Sequence, residues 1–489
     1  MTLVFLIASL HPAYTAGEPI YVTLSLRNTG TAAVRVPRPN SKLNWQPVFT
    51  ISGPGPADRT VVDFRRGIHR DVSLESPSNS TADLLDLAPG ATWEGVLEVE
   101  DLAPIEKPGS YRLQAVLEWD GSRVESNVAA FAFGHFAARE ISLGLWGNPP
   151  GSSIVAVWLQ AGGDGQTVLE EQFKERGGED PQMTRSGVAR RASVSSNALN
   201  PVTQNAPYGL LEDVFRWAFW RAGGKLYGLP TVLSEPLELV LPAGVDSVLS
   251  PALLDRSHAA DLYLIAGPAE SRHLLVARFT DPMEPGAEPP RVLGEIALPA
   301  LAVAVASDPS GKGDRRHIAA VAVRGRVVRF YHLAYAGAAL PAQFTIRDIE
   351  ASEDLRSLPD SPPAVFVESD GSARVSMVVR STKVEARCLL GEARFGAGAE
   401  SPGTLTTVEL PQRASATRIG YFQENGGPLR RDWAAWTADG SLYELGEGGR
   451  PRLARSHLAP GQPRQLVVLR ERSYILETSP TAGVMLNPL

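Results

Sequence analysis

From Ile20 the chain alternates, with Ile20, Val22, Leu24 and Leu26 on one side and Tyr21, Thr23, Ser25 and Arg27 on the other. A period of two predicts a strand with one buried face. Leu3 to Leu10 reads as an earlier strand, and Asn28-Thr29-Gly30-Thr31 as the turn into Ala33 to Pro37. Later strands fall at Trp93 to Val99, Tyr111 to Trp119, Arg123 to Asn127 and Ala129 to Phe136, punctuated by Leu87-Ala88-Pro89-Gly90, Lys107-Pro108-Gly109-Ser110 and Asp120-Gly121. About seven short strands in this stretch predict a β-sandwich over residues 1–137.

Beyond Arg139 the pattern changes to a recurring hairpin of small or aromatic apolar residues, a tight turn and a returning strand. Its copies are Ile154 to Gln160 with Gln166 to Phe173, Trp217 to Arg221 with Lys225 to Leu229, and Leu262 to Ala266 with Leu274 to Phe279. They continue as Ile318 to Arg324 with Arg326 to Leu333, Val375 to Arg380 with Val384 to Leu389, Trp433 to Thr437 with Ser441 to Leu445, and Leu466 to Leu469 with Ser473 to Glu477. In several copies a further apolar strand lies upstream, as in Leu301 to Ala306, Ala364 to Val367 and Thr417 to Phe422. Repeats of roughly 40 to 60 residues are the period of propeller blades, whereas stacked sandwich domains need roughly 90 to 100. The expectation is an all-β chain with a propeller of about seven blades, or six or eight, over residues 138–489. Val484 to Leu489 or Glu140 to Trp146 is expected to supply the strand that closes the ring. Lys174 to Pro207 and Thr280 to Pro290 read as long inter-strand loops, the former containing Arg190-Arg191-Ala192-Ser193, a sequence also open to reading as a kinase acceptor.

The segment Ala13-Tyr14-Thr15-Ala16-Gly17-Glu18-Pro19-Ile20, running into Leu26-Arg27-Asn28-Thr29-Gly30, resembles the start of bacterial immunoglobulin-like domains, including the intracellular proteinase-inhibitor type. The Leu-Ala-Pro-Gly and Pro-Gly-Ser-Tyr-Arg-Leu segments resemble later strands of the same families. The resemblance implies an immunoglobulin-like sandwich serving as spacer, docking module or inhibitor.

Composition narrows the function. The 489 residues are 43% hydrophobic and 21% charged, which suits a packed core and excludes a disordered chain. A net charge of -7 provides no basic field, so nucleic acid is not an expected partner. Basic runs such as Arg430-Arg431 read as solvated faces. Cys388 is the only cysteine, which excludes an intrachain disulfide and a thiolate metal cluster. No stretch approaches the roughly 18 apolar residues of a membrane span. No Lys or Arg precedes the apolar run at Leu3, so the expected setting is cytoplasmic, with an extracellular or periplasmic one as the alternative.

Candidate chemistry is sparse. Asp308-Pro309-Ser310-Gly311-Lys312-Gly313-Asp314 resembles the calcium loops of integrin-type propeller repeats, with Asp308, Ser310 and Asp314 as candidate ligands. Lys312 and Arg316 stand where that family carries acidic ligands, so the expectation is a degenerate loop and no required cofactor, calcium being the alternative. The equivalent places in neighbouring blades are Asp255 to Asp261, Glu368 to Ser372 and Gln423 to Asp432. The eight histidines never pair at two-, three- or four-residue spacing, which argues against a locally built zinc site. Trp146, Trp220 and Trp436 are candidate binding residues, against a competing role in blade packing in which Trp433 and Trp436 serve opposite sheet faces. No catalytic residue is assigned. The functional expectation is a non-enzymatic protein-binding or assembly protein, self-assembly included. One alternative is a polysaccharide hydrolase or lyase, with carbohydrate as ligand and Asp255, Asp261, Asp308 and Glu368 as candidate acids. The other is a proteinase inhibitor acting through the first domain.

Overall fold

The computed structural model describes residues 3–39, 47–54, 60–63, 84–136, 138–146, 153–162, 165–175, 183–194, 200–201, 217–222, 224–230, 236–243, 245, 248–256, 259–307, 315–336, 340–358, 361–396, 403–410, 414–422, 430–446, 449–456, 466–469, 472–481 and 483–488. Among them there are strands, turns and one 3-10 turn at Val99–Asp101, and no helix is long and apolar enough to cross a membrane.

The N-terminal strands form two main sheets. One joins Leu3–Ser9, Tyr21–Asn28 and Thr92–Glu98 in that order, and the other is built around Gly109–Trp119, flanked by Ala129–Gly134 and Val48–Ser52. Each strand buries one face. Phe5, Ile7, Val22, Leu24 and Leu26 of the first sheet share a core with Phe49, Ile51, Leu113, Ala115, Leu117 and Phe131 of the second. This is the sandwich that the alternation from Ile20 predicts. Leu3 to Leu10 is its first strand, ending at Ser9. Short strands at Ala13–Thr15, Val48–Ser52, Thr60–Asp63 and Leu84–Leu87 are additional to the predicted set.

Side chains close this sandwich where the backbone does not. Asn127 donates through Nδ2 to the Ile7 carbonyl at 2.9 Å and accepts the Ile7 N–H at 2.8 Å, pairing with the edge strand as a neighbouring residue would. The Tyr111 hydroxyl lies 2.7 Å from the Lys107 carbonyl four residues upstream and 2.9 Å from the Pro54 carbonyl, pinning the start of its strand to the turn before it.

The rest of the chain forms seven successive antiparallel units, called blades here, among the described residues. Blades 1, 2, 3 and 6 are separate four-stranded sheets. Blade 4 runs Val303–Ser307, then Arg315–Ala336, which folds back at Gly325 (φ +61) to supply both its second and third strands, then Thr345–Ser357. Blade 5 comprises Ala364–Val367, Ala373–Ser381, Arg387–Phe395 and Thr404–Glu409. A short pairing of Leu355 to Ser357 with Val379 to Ser381 links blades 4 and 5. Blade 7 has three strands, Leu466–Leu469, Arg472–Ser479 and Gly483–Pro488.

Burial distinguishes a propeller from stacked sandwiches. A sandwich strand buries alternate residues, but the second strand of blade 3 buries both faces, with Leu262, Tyr263, Leu264, Ile265 and Ala266 all inaccessible. Its two faces serve different neighbours: Leu262, Leu264 and Ala266 pack with Phe219 and Leu226 of blade 2, while Tyr263 and Ile265 pack with Val305, Ile318 and Tyr331 of blade 4. The scheme repeats around the chain. Val375, Met377 and Val379 join blade 4, whereas Val378 joins Trp433 and Ala435 of blade 6. Ala434 and Trp436 turn the other way to Ile475 of blade 7.

Blade 7 in turn meets blade 1. Tyr474, Leu476, Val484 and Leu486 lie in one cluster with Ile154, Ala156, Trp158, Leu169 and Phe173. Packing of first on last is a ring, so the chain is an all-β protein with a sandwich followed by a propeller, of seven blades among the described residues. The outermost strands face water on one side and revert to alternation, as in Thr345–Ser357. Close approach has a local requirement at Gly228, where an added Cβ would stand 2.7 Å from Phe219 and 2.8 Å from Phe279.

Two expectations change. Ring closure uses no shared strand among the described residues, because Gly483–Pro488 pairs within blade 7 and Ala138–Trp146 pairs within blade 1. The stretch Lys174 to Pro207 is not one long loop, since Met183–Val194 is the fourth strand of blade 1 and carries Arg190 to Ser193. Its polar sequence masks a strand because an outermost strand needs little apolar surface.

Candidate functional site

Charged residues stand at both ends of the blade strands: Glu353, Arg387 and Glu409 gather at one end, and the clusters described below at the other. In blades 3 to 6 the links from first to second strand, and from third to fourth, emerge at the same end of the ring. Asp261, Arg316, Arg374 and Arg431 begin second strands there, and Arg278 and Arg394 finish third strands. The sandwich joins at the other end. Phe136 packs edge-on against Trp158 of blade 1 at 5.5 Å, and its N–H donates to the Pro480 carbonyl, beside the link between the second and third strands of blade 7.

Three clusters occupy successive seams between blades at the open end. Between blades 3 and 4, Asp261 is 1% exposed and accepts Arg278 Nε and Nη2 at 2.7 and 2.9 Å. Arg316, also buried, approaches Oδ2, which also accepts Arg278 Nη2, through its own Nη1 at 2.7 Å. The guanidinium of Arg316 lies over the Tyr335 ring, and the hydroxyls of Tyr335 and Tyr263 are 2.8 Å apart. Burial pushes the Tyr263 hydroxyl well above the ordinary tyrosine range, aided by the Asp261 charge, while the Asp261 hydrogen bond raises Arg278.

Between blades 4 and 5, His317 Nδ1 and His332 Nε2 stand 3.0 Å apart with rings stacked at 5.2 Å, and Phe395 covers His332 at 5.1 Å. Burial holds His332 at about 4, with the neighbouring His317 and Arg315 adding to the effect, so it is neutral at pH 7. The two histidines are fifteen residues apart, beyond the local spacings that suggest zinc. Each lies seven residues from the Arg324-Gly325 turn, and that hairpin register is the signal that could have paired them.

Between blades 5 and 6, Glu392 faces three arginines: Arg431 at 3.3 Å, Arg394 at 3.8 Å and Arg374 at 4.0 Å. Arg374 also donates from Nε to Glu368 at 2.5 Å. Glu392 is 13% exposed and Arg394 50%, so the cluster opens to solvent.

The predicted site residues fare differently. Asp308, Ser310 and Asp314 lie outside the described residues. Trp146 pairs with Ser153 in blade 1, and Trp220 with Tyr227 in blade 2. Trp436 is buried between blades 6 and 7, so its ring offers no open face to a partner, in keeping with the packing role weighed for it. Asp255 pairs with Ala260 in blade 3. Among the candidate acids, Asp261 is buried under two guanidiniums, in an ion pair that reaches from blade 3 to Arg316 of blade 4. Glu368 holds Arg374. Cys388 is buried, with burial raising its thiol above the ordinary range. No group of three or more metal-ligating side chains occurs among the described residues.

No family model and no curated protein matches the chain. Solved structures with some likeness include BBS1N in complex with ARL6DN, at 11% identity and TM-score 0.36, covering 73% of this chain and 97% of that one. The BP39L lectin from Burkholderia pseudomallei is 13% identical with TM-score 0.39, covering 73% of this chain and 96% of the lectin. AofleA from Arthrobotrys oligospora is 11% identical with TM-score 0.38, covering 67% and 88%. Likeness at this level assigns no ligand.

Proposed function

We propose that this protein is a non-enzymatic binding or assembly protein that presents the open end of its propeller, with residues 1–137 as a bacterial immunoglobulin-like tether and 138–489 as the binding body. The observation that carries this reading is the convergence of charged residues from blades 3 to 6 on the end opposite the sandwich junction. Surfaces assembled from several rigid blades suit recognition, since each contact residue is fixed by strands packed on both faces.

Site-specific photocrosslinkers test it. One at Asp370, in an open-end link, should yield a discrete adduct in extracts of the source cell, and one at Lys383, at the junction end, should not. Adducts confined to Lys383, or turnover of a polysaccharide by the purified chain, would overturn the proposal.

A further inference from the structure

We infer that the cleft between blades 5 and 6 binds a carboxylate side chain of an acidic peptide segment, with Arg374, Arg394 and Arg431 as its receptor and Glu392 as an internal stand-in. The inference deepens the binding reading above and rests on it. Its starting point is the face these residues share. Val378 and Leu390, from the second and third strands of blade 5, pack on blade 6, and residues an even number of positions away point the same way. Arg374, Ser376, Glu392 and Arg394 therefore all face blade 6, from which Arg431 reaches back to Glu392.

The seam is apolar along Val378, Cys388, Leu390, Trp433 and Ala435, and carries charge at both ends: buried Arg380 beside Cys388 at one, and the three arginines around Glu392 at the other. A guanidinium presents five N–H groups in a planar fork that fits a carboxylate bidentately. Here three forks surround Glu392, and none of their charged contacts with it is shorter than 3.3 Å. Arg394 approaches no closer than 3.8 Å and is half exposed, so much of its fork faces solvent. Three arginines here face two carboxylates, Glu368 and Glu392.

The occupant already present is a glutamate side chain, which shows the chemistry that the forks accept. A sugar would call for an exposed aromatic platform, whereas the rings described in this seam, Trp433 and Tyr443, are buried. Arginine is also prominent among residues that dominate protein interfaces. These points favour a peptide over an anionic glycan.

The test uses the full chain, a fluorescein-labelled oligoglutamate peptide and an oligogalacturonate, read by fluorescence anisotropy and competition. Peptide binding is expected, weakening as salt rises, and falling at least about tenfold in R394E/R431E. R356E, a charge reversal at the opposite end of the sheets, should leave it unchanged. E392Q removes the competing carboxylate and should tighten the peptide severalfold, which separates ligand competition from any loss of folding in the double variant. Absence of peptide binding, insensitivity to R394E/R431E, or capture of the galacturonate alone overturns the inference. If crosslinks persist at Asp370 while the peptide fails, the carboxylate assignment falls and the broader binding reading stands.

Discussion

Asp261 and Glu392 occupy corresponding ends of two blade seams, and both are surrounded by arginine, yet their environments are opposite. Asp261 is buried and held by Arg278 and Arg316 through contacts of 2.7 to 2.9 Å. Glu392 meets its arginines at 3.3 to 4.0 Å, beside solvent. A buried carboxylate is tolerated only when its charge is matched and its oxygens are satisfied. The blade 3–4 cluster therefore works as a fastener, whereas the blade 5–6 cluster is the one proposed above to take a partner's carboxylate.

The largest expected effect comes from breaking the fastener. Asp261→Asn keeps the shape and removes the charge, leaving Arg316 buried without its counter-ion. Loss of one partner from a buried pair costs roughly 3–5 kcal/mol, read as a lower urea midpoint. A midpoint equal to wild type would mean that the two clusters do not differ as argued.

The histidine pair between them gives the next effect, in acid. The His332 ring is held at about 4 in the folded chain, against about 6.5 when unfolded. A lowered histidine value contributes stability that is fully present above pH 6.5 and is lost as pH falls toward 4, by an amount of order 3 kcal/mol. Urea midpoints measured between pH 7 and 4.5 should therefore fall in wild type and fall less in His332→Phe, which cannot take up the proton. Parallel curves would assign the acid sensitivity elsewhere.

How far the sequence reaches follows from the same geometry. Hairpins within a blade were legible because their strands are neighbours along the chain, and the opposite facing of Trp433 and Trp436 followed from their odd spacing. Even the Asp261–Arg278 contact was latent in the register of the Leu262 and Leu274 strands. Contacts across a seam were not legible. Arg431 lies 39 positions beyond Glu392, and only the angle between blades brings them together. The fourth strand of blade 1 escaped for another reason: Met183–Val194 has too few apolar residues to announce itself.

The smallest expected effect sharpens the comparison most. Exposed ion pairs contribute about 0–1 kcal/mol, because water and salt screen them and the side chains lose freedom on pairing. Arg394→Ala, at a half-exposed side chain, should change stability by less than about 1 kcal/mol, and Glu392→Gln by less than Asp261→Asn, with added salt shrinking both differences further. Asp261→Asn should stay destabilised in the same salt, since ions do not reach a buried carboxylate. A loss at Glu392 as large as that at Asp261, unaffected by salt, would make the blade 5–6 cluster a second fastener. Near-neutral stability combined with altered peptide binding would instead separate the two roles at the level of single residues: Asp261 holds blades together, and Arg394 faces outward.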